Sequence, residues 1–463
     1  METWLLVFAA IATCVAFLLA SLALGYPWAR FVRGAVVGAA FIVAVVAMED
    51  RGVSRERLLL PAVSMLCGLG IATLWRLDAH VAAKQTLWLI LGLTGTIATY
   101  RLLRNVNTLQ RWTYWCGFLA VILIGVTMAW GTTVNGAKLW LRIDLGQMAG
   151  FRLPAIRFQP GEPAKVLIAI FLAGFLTPRA EQAGARDRMR VVWLPSLRGL
   201  LPLLGAAAVG VGMFVVQNDL GAALLVFGVF VAMAYVATGN LSYPLLGLAV
   251  FVAAAGGAYL AVPHAAQRMD MWLNPWGADD VQRSGYQITQ GLFCLGSGGV
   301  FGTGLGFGFP DDLPTYTAET DMIFAAMGEE LGLVGAIVVS VLFVILVFRS
   351  FRIAWSAPST FGSLLASALS TVFAVQALTI IGGVLRLVPL TGITLPFVSY
   401  GGSSLVTNML AVGLLLTISR RRYADGGRTT ARPIGASGPH VARPGDRPAG
   451  ARGRRGGLEK RNP

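Results

Sequence analysis

Charge is what this 463-residue chain has least of: Asp, Glu, Lys and Arg make up 13% of it, against 56% hydrophobic residues. So little polar surface excludes an ordinary soluble domain and points to a protein that crosses a bilayer many times. Histidine is nearly absent, with only His80, His264 and His440. No Ser-His-Asp triad and no H-E-x-x-H zinc motif can be assembled from them. A general base, if the chain carries one, is therefore a carboxylate. The four cysteines, Cys14, Cys67, Cys116 and Cys294, lie in apolar stretches without metal-ligand spacing and read as small buried hydrophobes. Acidic residues are scarcer than basic ones, 22 against 37, which gives a formal charge of +15. Much of that excess sits in 420–463, an Arg-, Gly- and Pro-rich tail with almost no apolar residues that should be disordered. It lacks the interleaved aromatics or folded platform that nucleic acid needs, so anionic lipid headgroups are its expected partner.

What is present in abundance is the apolar run of about twenty residues, the length that spans a bilayer as a helix. Twelve recur, near 3–25, 30–48, 57–76, 84–104, 112–130, 162–178, 197–216, 219–238, 241–262, 322–348, 361–385 and 403–419. The expected fold is an all-α polytopic membrane protein. The first run is no cleavable signal peptide, because Met1-Glu2-Thr3 has no basic flank and the run is too long. Basic residues in short loops mark the cytoplasmic side. Arg51, Arg55 and Arg57, then Arg101, Arg104 and Arg111, fall in alternate loops. So do Arg179, Arg186, Arg188 and Arg190, and Arg349 and Arg352, on the same side as the tail; Arg30 and Arg33 fall opposite. Both termini are then cytoplasmic. The chain divides into helices in 1–130, an outward loop at 131–161 and helices in 162–262. A large outward loop at 263–321, helices in 322–419 and the tail at 420–463 follow.

The outward segments hold the chemistry. Thr320-Asp321-Met322-Ile323-Phe324 runs into Gly328-Glu329-Glu330-Leu331-Gly332, placing three carboxylates at the start of an apolar helix, where an ionisable group needs a reason. The stretch before it, 272–314, is too polar to span and too aromatic for a free loop. It holds Arg268 just upstream, Trp272, Trp276, Gln287 and Gln290, and suits a polar chamber that recognises sugars by amides and rings. Lys138, Trp140 and Arg142 precede Gln159-Pro160-Gly161-Glu162-Pro163-Ala164-Lys165, where Glu162 and Lys165 would pair across one helical turn at membrane depth. Gln217-Asn218-Asp219-Leu220-Gly221 reads either as a polar turn or as part of the site. In 382–404, two prolines and many glycines break the helix into re-entrant backbone carrying Arg386, Ser399, Ser403 and Ser404, tolerated only where it lines a cavity. Gly302-Thr303-Gly304-Leu305-Gly306 lacks the G-K-[ST] and preceding strand of a nucleotide loop.

The ordered set Q-P-G-E-P-A-K, Q-N-D-L-G, G-Y-Q-I-T-Q, T-D-M-I-F-A with G-E-E-L-G, and L-P-F-V-S-Y-G-G-S-S resembles the SEDS family, the FtsW, RodA and SpoVE peptidoglycan polymerases. With two extra apolar segments before a ten-helix core, the chain is most similar to the RodA-like branch of actinobacteria. Gly161, Ile380 and Met322 stand where the family commonly has Ser, Asn and an aromatic residue. The resemblance implies a glycosyltransferase that polymerises lipid II on the outer face of the bacterial cytoplasmic membrane, for elongation or division. It implies Asp321 as the catalytic carboxylate, a divalent metal (Mg or Mn) with Asp321 as its ligand, and a class B penicillin-binding protein as partner. The chemistry is compatible: a sugar hydroxyl needs a base, and a diphosphate leaving group needs positive charge. Arg142, Lys165, Arg268 and Arg386 are the candidate cations, while Glu329 and Glu330 are expected to be structural. A lipid II flippase, or a scaffold that recruits a transpeptidase, remains as the alternative.

Overall fold

The computed structural model describes residues 2–23, 28–50, 53–134, 137–143, 147–148, 151–152, 156–185, 197–261, 263–277, 285–308 and 315–422. The tail beyond 422 lies outside the described residues, as do Arg51, Asn135, Gly136, Arg186, Arg188 and Arg190 of the sequence reading. Each of the twelve apolar runs is a helix, because a continuous apolar segment in lipid has to satisfy its own backbone. They are α1 (Glu2–Ala23), α2 (Trp28–Ala47), α3 (Leu59–Leu77), α4 (Ala79–Leu102), α5 (Thr113–Trp130), α6 (Gly161–Ala185), α7 (Leu197–Val216), α8 (Leu220–Thr238) and α9 (Ser242–Ala261). Three shorter helices follow in the large loop, α10 (Pro263–Leu273), α11 (Tyr286–Ser297) and α12 (Thr315–Ala318). The last three long ones are α13 (Ile323–Trp355), α14 (Thr360–Val384) and α15 (Gly402–Ile418). The protein is an all-α polytopic membrane protein. Eight of these helices are long and apolar enough to cross a bilayer, and four more have shorter apolar portions, Trp4–Ala20, Gly34–Ala47, Leu201–Val216 and Gly402–Ile418.

The helices sort by burial. The apolar window of α3 is 89% buried and that of α14 is 78% buried, so these two form the middle of the bundle, while α9 at 6% stands at its rim. α15 lies along α4, and α14 is flanked by α6, α8 and α13. Small residues allow the close approaches: a Cβ at Gly70 would meet the Val398 carbonyl oxygen at 2.6 Å.

One end of the bundle is a basic surface. Arg55 pairs with Glu2 at 3.3 Å, Arg349 with Glu56 at 3.5 Å, and Asp50 accepts both Arg101 and Arg420. The Arg420 guanidinium lies 3.7 Å from the ring centroid of Tyr100. β1 (Val53–Ser54) pairs antiparallel with the last described residues, Arg421–Arg422, matching Val53 to Arg422. The start of α1, the segment between α2 and α3, the end of α4, Arg349 of α13 and the residues after α15 thus meet at one face.

The segment 131–161 is more ordered than its reading as a loop. β2 (Thr132–Val134), β3 (Ala137–Ile143) and a strand at Ile156–Phe158 make a three-stranded antiparallel sheet with Leu141 opposite Phe158. Strands of three to seven residues are too short for alternation to stand out in the sequence.

α13 carries a break. Gly332 has φ 67°, and a Cβ there would stand 2.2 Å from the Gly302 nitrogen. Into that break fits the glycine-rich turn after α11. Its Thr303 and Gly304 amides donate to the Glu329 and Glu330 carbonyls, both at 3.0 Å. The Leu333 and Val334 amides donate to Gly299 and Val300 at 3.0 and 3.1 Å. These four backbone bonds let the inserted turn satisfy groups that the kink frees, as a non-helical segment at membrane depth requires.

Candidate active site

The end of the bundle opposite the basic surface gathers charged groups around the 385–401 segment. Asp321 sits in the turn between α12 and α13, fixed by the Met322 amide bonding the Thr317 carbonyl at 2.8 Å. Its carboxylate is 9% exposed and accepts the Gln287 Nε2–H at 3.2 Å and the Thr320 hydroxyl at 3.1 Å. Burial pushes the Asp321 carboxyl above the ordinary carboxylate range, opposed by its hydrogen bonds, from Gln287 and Thr320 among others, and by the charge of Arg268.

Arg268 comes from α10 and donates through Nη1 to the carbonyls of Thr391 at 3.1 Å and Leu390 at 3.4 Å. Gly392, at φ 73°, shows how the pair is arranged. A Cβ there would lie 3.9 Å from Asp321 Oδ2 and 4.0 Å from Arg268 Nη2, so carboxylate and guanidinium face one small gap over a residue with no side chain. Asp219 and Asp321 both support the charge of Arg268 against its burial. Asp219 itself caps α8, accepting the Ala222 amide at 2.9 Å, and Gly221 beside it packs on Thr391 and Ile393. Glu162 and Lys165 form the buried pair that their spacing predicts, 2.8 Å apart with 5% exposure each. Glu162 Oε2 has no hydrogen-bond partner.

Other predicted residues serve the scaffold. The Ser399 hydroxyl donates to the Thr320 carbonyl and accepts the Leu395 amide at 2.8 Å, and the Tyr400 amide donates to the Glu319 carbonyl at 2.8 Å. The re-entrant segment therefore grips the chain on which Asp321 is mounted. Ser403 accepts the Gln159 amide at 3.0 Å, joining the starts of α15 and α6. Ser404 accepts the Thr394 hydroxyl at 2.9 Å. Gln217 donates to the Ile124 carbonyl at 3.0 Å. Gln290 lies three residues beyond Gln287 on α11 and is partly buried. Lys138 and Arg142 are exposed on β3, with Trp140 half-buried between them. Glu330, just before the kink in α13, pairs with Arg76 at 3.3 Å, and Arg76 also donates to the Gly308 carbonyl at 2.9 Å.

Arg386 ends α14. The Leu387 amide bonds Gly382 at 2.7 Å and the Arg386 amide bonds Gly383 at 3.1 Å, with Arg386 itself at φ 57°. That is a Schellman ending with arginine where glycine is favoured, at a cost of about 1–2 kcal/mol for an L side chain. Its guanidinium donates to the carbonyls of Trp272 at 2.8 Å and Leu273 at 2.7 Å, and the Trp272 indole donates back to the Arg386 carbonyl at 3.1 Å.

The sequence reading missed Arg76, Gln85, Thr320 and Thr391. Arg76 and Gln85 carry a usable signal, a polar group inside or beside an apolar run. Gln85, fully buried, donates to the Ser399 carbonyl at 3.0 Å. Thr320 and Thr391 act largely through backbone, which leaves no mark in side-chain chemistry. Among the described residues no group of three or more His, Cys, Asp or Glu is placed to hold a metal ion.

Fold and site together define a multi-pass membrane protein with a buried carboxylate and a part-buried guanidinium at one end of its bundle. Residues 57–424 match the model of the family described as "Cell cycle protein", FtsW, RodA and SpoVE. The peptidoglycan glycosyltransferase RodA of Mycobacterium tuberculosis is 37% identical over 95% of both chains. The stage V sporulation protein E of Bacillus subtilis is 35% identical over 74% of this chain and 88% of its own. Among solved structures, a chain from a peptidoglycan synthase complex that coordinates polymerization and crosslinking superposes with a TM-score of 0.63 at 25% identity, covering 80% of this chain and 99% of that one. The rod shape determining protein RodA of Thermus thermophilus shares the fold, with a TM-score of 0.55 over 80% of this chain and 99% of its own. The chain belongs to the FtsW, RodA and SpoVE family of peptidoglycan glycosyltransferases. The α1–α2 hairpin precedes the matched segment.

Proposed function

We propose that this glycosyltransferase polymerises lipid II on the outer face of the cytoplasmic membrane, with Asp321 as the general base. The observation that carries the reading is the placement of Asp321 and Arg268 on either side of the gap over Gly392. A hydroxyl of one glycan attacks the anomeric carbon of another lipid-linked sugar. The new glycosidic C–O bond forms as the bond to the diphosphate breaks. Asp321 takes the hydroxyl proton, and the lipid diphosphate leaves with the electron pair, its charge met by Arg268. A raised carboxyl suits a base, because it accepts a proton more readily.

A divalent cation fits as a partner of substrate more than of protein. Asp321 would hold such an ion through its one carboxylate. When bound, the ion supplies charge neutralisation at the leaving group. Asp219 interacts electrostatically with Lys165, Glu162 and Arg268, so these groups share in the electrostatic balance of the chamber. Residues 131–161 and 263–321 form the outward face in this reading, and the termini are cytoplasmic. The cluster of Arg55, Arg101, Arg349 and Arg420 at the other end supports that orientation. A class B penicillin-binding protein crosslinks the strands as partner, and anionic headgroups meet the tail.

The test is lipid II polymerisation by purified protein with its cognate penicillin-binding protein, wild type against Asp321→Ala. Glycan from wild type, and none from a folded variant that still binds its partner, supports polymerase and base together. Equal glycan from both removes Asp321 from the mechanism. A protein that moves lipid II across liposomes without polymerising it would be a flippase.

A further inference from the structure

Arg386 is one of the four cations the sequence offers for a diphosphate, yet its guanidinium is committed elsewhere. It caps the last two carbonyls of α10, Trp272 and Leu273. In return, the Trp272 indole holds the Arg386 carbonyl at 3.1 Å. One residue therefore fastens the C-terminal ends of two helices, α10 and α14, where a cation is favoured by both dipoles. It does so from a left-handed backbone conformation, φ 57°, that a glycine would adopt without strain. A strained residue kept in place by three reciprocal hydrogen bonds is a motive to look for function.

The function lies one turn away. Arg268 precedes Trp272 by four residues on α10, so both project from the same face of the helix. Arg268 bonds the carbonyls of Leu390 and Thr391, which follow Arg386 by four and five residues. α10 is thus attached to the 386–391 segment at two points. The first is the Arg386–Trp272 clasp and the second is Arg268 itself, whose other side faces the gap with Asp321. α10 has few other attachments, since its main packing partner is α9, the helix at the rim. Without the clasp, α10 is free to shift along the segment, and Arg268 goes with it.

We propose that the Arg386–Trp272 clasp is a positioning device that sets Arg268 across the gap from Asp321, so that Arg386 acts on turnover through α10 without touching substrate. The inference rests on the polymerase reading above. Wild-type polymerisation is therefore measured first: if wild type with its partner makes no glycan, the polymerase reading fails, and the inference with it. With active wild type, kcat and KM for lipid II are compared across Arg386→Ala, Arg386→Gly, Arg386→Lys, Arg268→Ala and the double variant Arg386→Ala/Arg268→Ala.

A misplaced charge-stabilising group costs up to about 100-fold, so Arg386→Ala should lower kcat by about 10-fold or more while KM moves by less than about threefold. Arg386→Gly, whose backbone is relaxed, should lose as much as Arg386→Ala, and Arg386→Lys should recover part of the loss. In the Arg268→Ala background, Arg386→Ala should cost less than about twofold, because both changes remove the same interaction. A wild-type rate for Arg386→Gly overturns the inference, as does a rise in KM alone or full additivity in the double variant. Should the Arg386 variants fail to fold, Trp272→Phe deletes only the indole N–H half of the clasp. Lowered kcat at unchanged KM supports the inference, and wild-type kinetics from that folded variant overturn it.

Discussion

The two ends of the bundle both carry arginines and carboxylates, and they use them differently. At the basic end the pairs range from Arg55 with Glu2, 8% and 12% exposed, to Arg101 with Asp50, 43% and 27% exposed, and the bonds they make tie loops and the root of the tail together. At the other end Glu162, Lys165 and Asp321 are nearly excluded from water, and Glu162 Oε2 lacks any hydrogen-bond partner. Solvated pairs cost little to make and contribute little. Buried groups of this kind are expensive, and the facing of Asp321 and Arg268 across one gap is the reason to place chemistry there. Charge content alone does not separate the ends; that gap does.

That contrast can be tested by substitution at each end. Asp321→Asn keeps the shape and removes the proposed base, and should cut lipid II turnover by about 10²–10⁴-fold, read as glycan formed per minute with complex formation intact. Lys165→Met leaves the Glu162 carboxylate buried alone, and should destabilise the protein by about 3–5 kcal/mol, measured by thermal unfolding in detergent. Adding Glu162→Gln should restore most of that loss, since the uncompensated charge goes with it. The pH profile comes next. Because burial raises the Asp321 carboxyl, turnover should be present at higher pH and fall as pH drops through a midpoint above the ordinary value of about 3.9. Gln287→Ala removes a hydrogen bond that favours the charged form, so it should move that acid limb further upward. Asp50→Asn, at the basic end, should shift stability by no more than about 1 kcal/mol and leave polymerisation unchanged within error.

The architecture was legible because its signals are long. Twenty apolar residues in a row admit few structures in lipid, so all twelve helices fall where the runs do. The pairing of Glu162 with Lys165 was legible for the same local reason, a three-residue spacing on one helix. Arg386 was not. Its position in a glycine-rich, proline-broken stretch suggested a free cation, and only the left-handed ending of α14 turns it toward the carbonyls of α10. The scaffold bonds of Ser399, Ser403 and Ser404 were not legible either: the Ser399 hydroxyl donates to the Thr320 carbonyl, while Ser403 accepts the Gln159 amide and Ser404 the Thr394 hydroxyl. The contacts of Ser399 with Thr320 and of Ser403 with Gln159, 79 and 244 residues apart, depend on the whole fold, and no local pattern encodes them.

The turn inserted at the break in α13 has a consequence for how this region can vary. Its attachment runs through main-chain amides and carbonyls, from Thr303, Gly304, Leu333 and Val334 to Glu329, Glu330, Gly299 and Val300. The Thr303 hydroxyl adds a bond to the Glu329 carbonyl at 3.2 Å, but Phe301 and Phe307, both largely exposed, should accept almost any replacement. Gly302 and Gly332 should accept none, because a single methyl group at either would stand 2.2 Å from main-chain atoms of the other strand of the junction. Saturation mutagenesis at Phe301, Gly302, Phe307 and Gly332 should therefore yield a sharply two-valued map, permissive at the two aromatics and closed at the two glycines, the reverse of the pattern a ligand-binding loop would give.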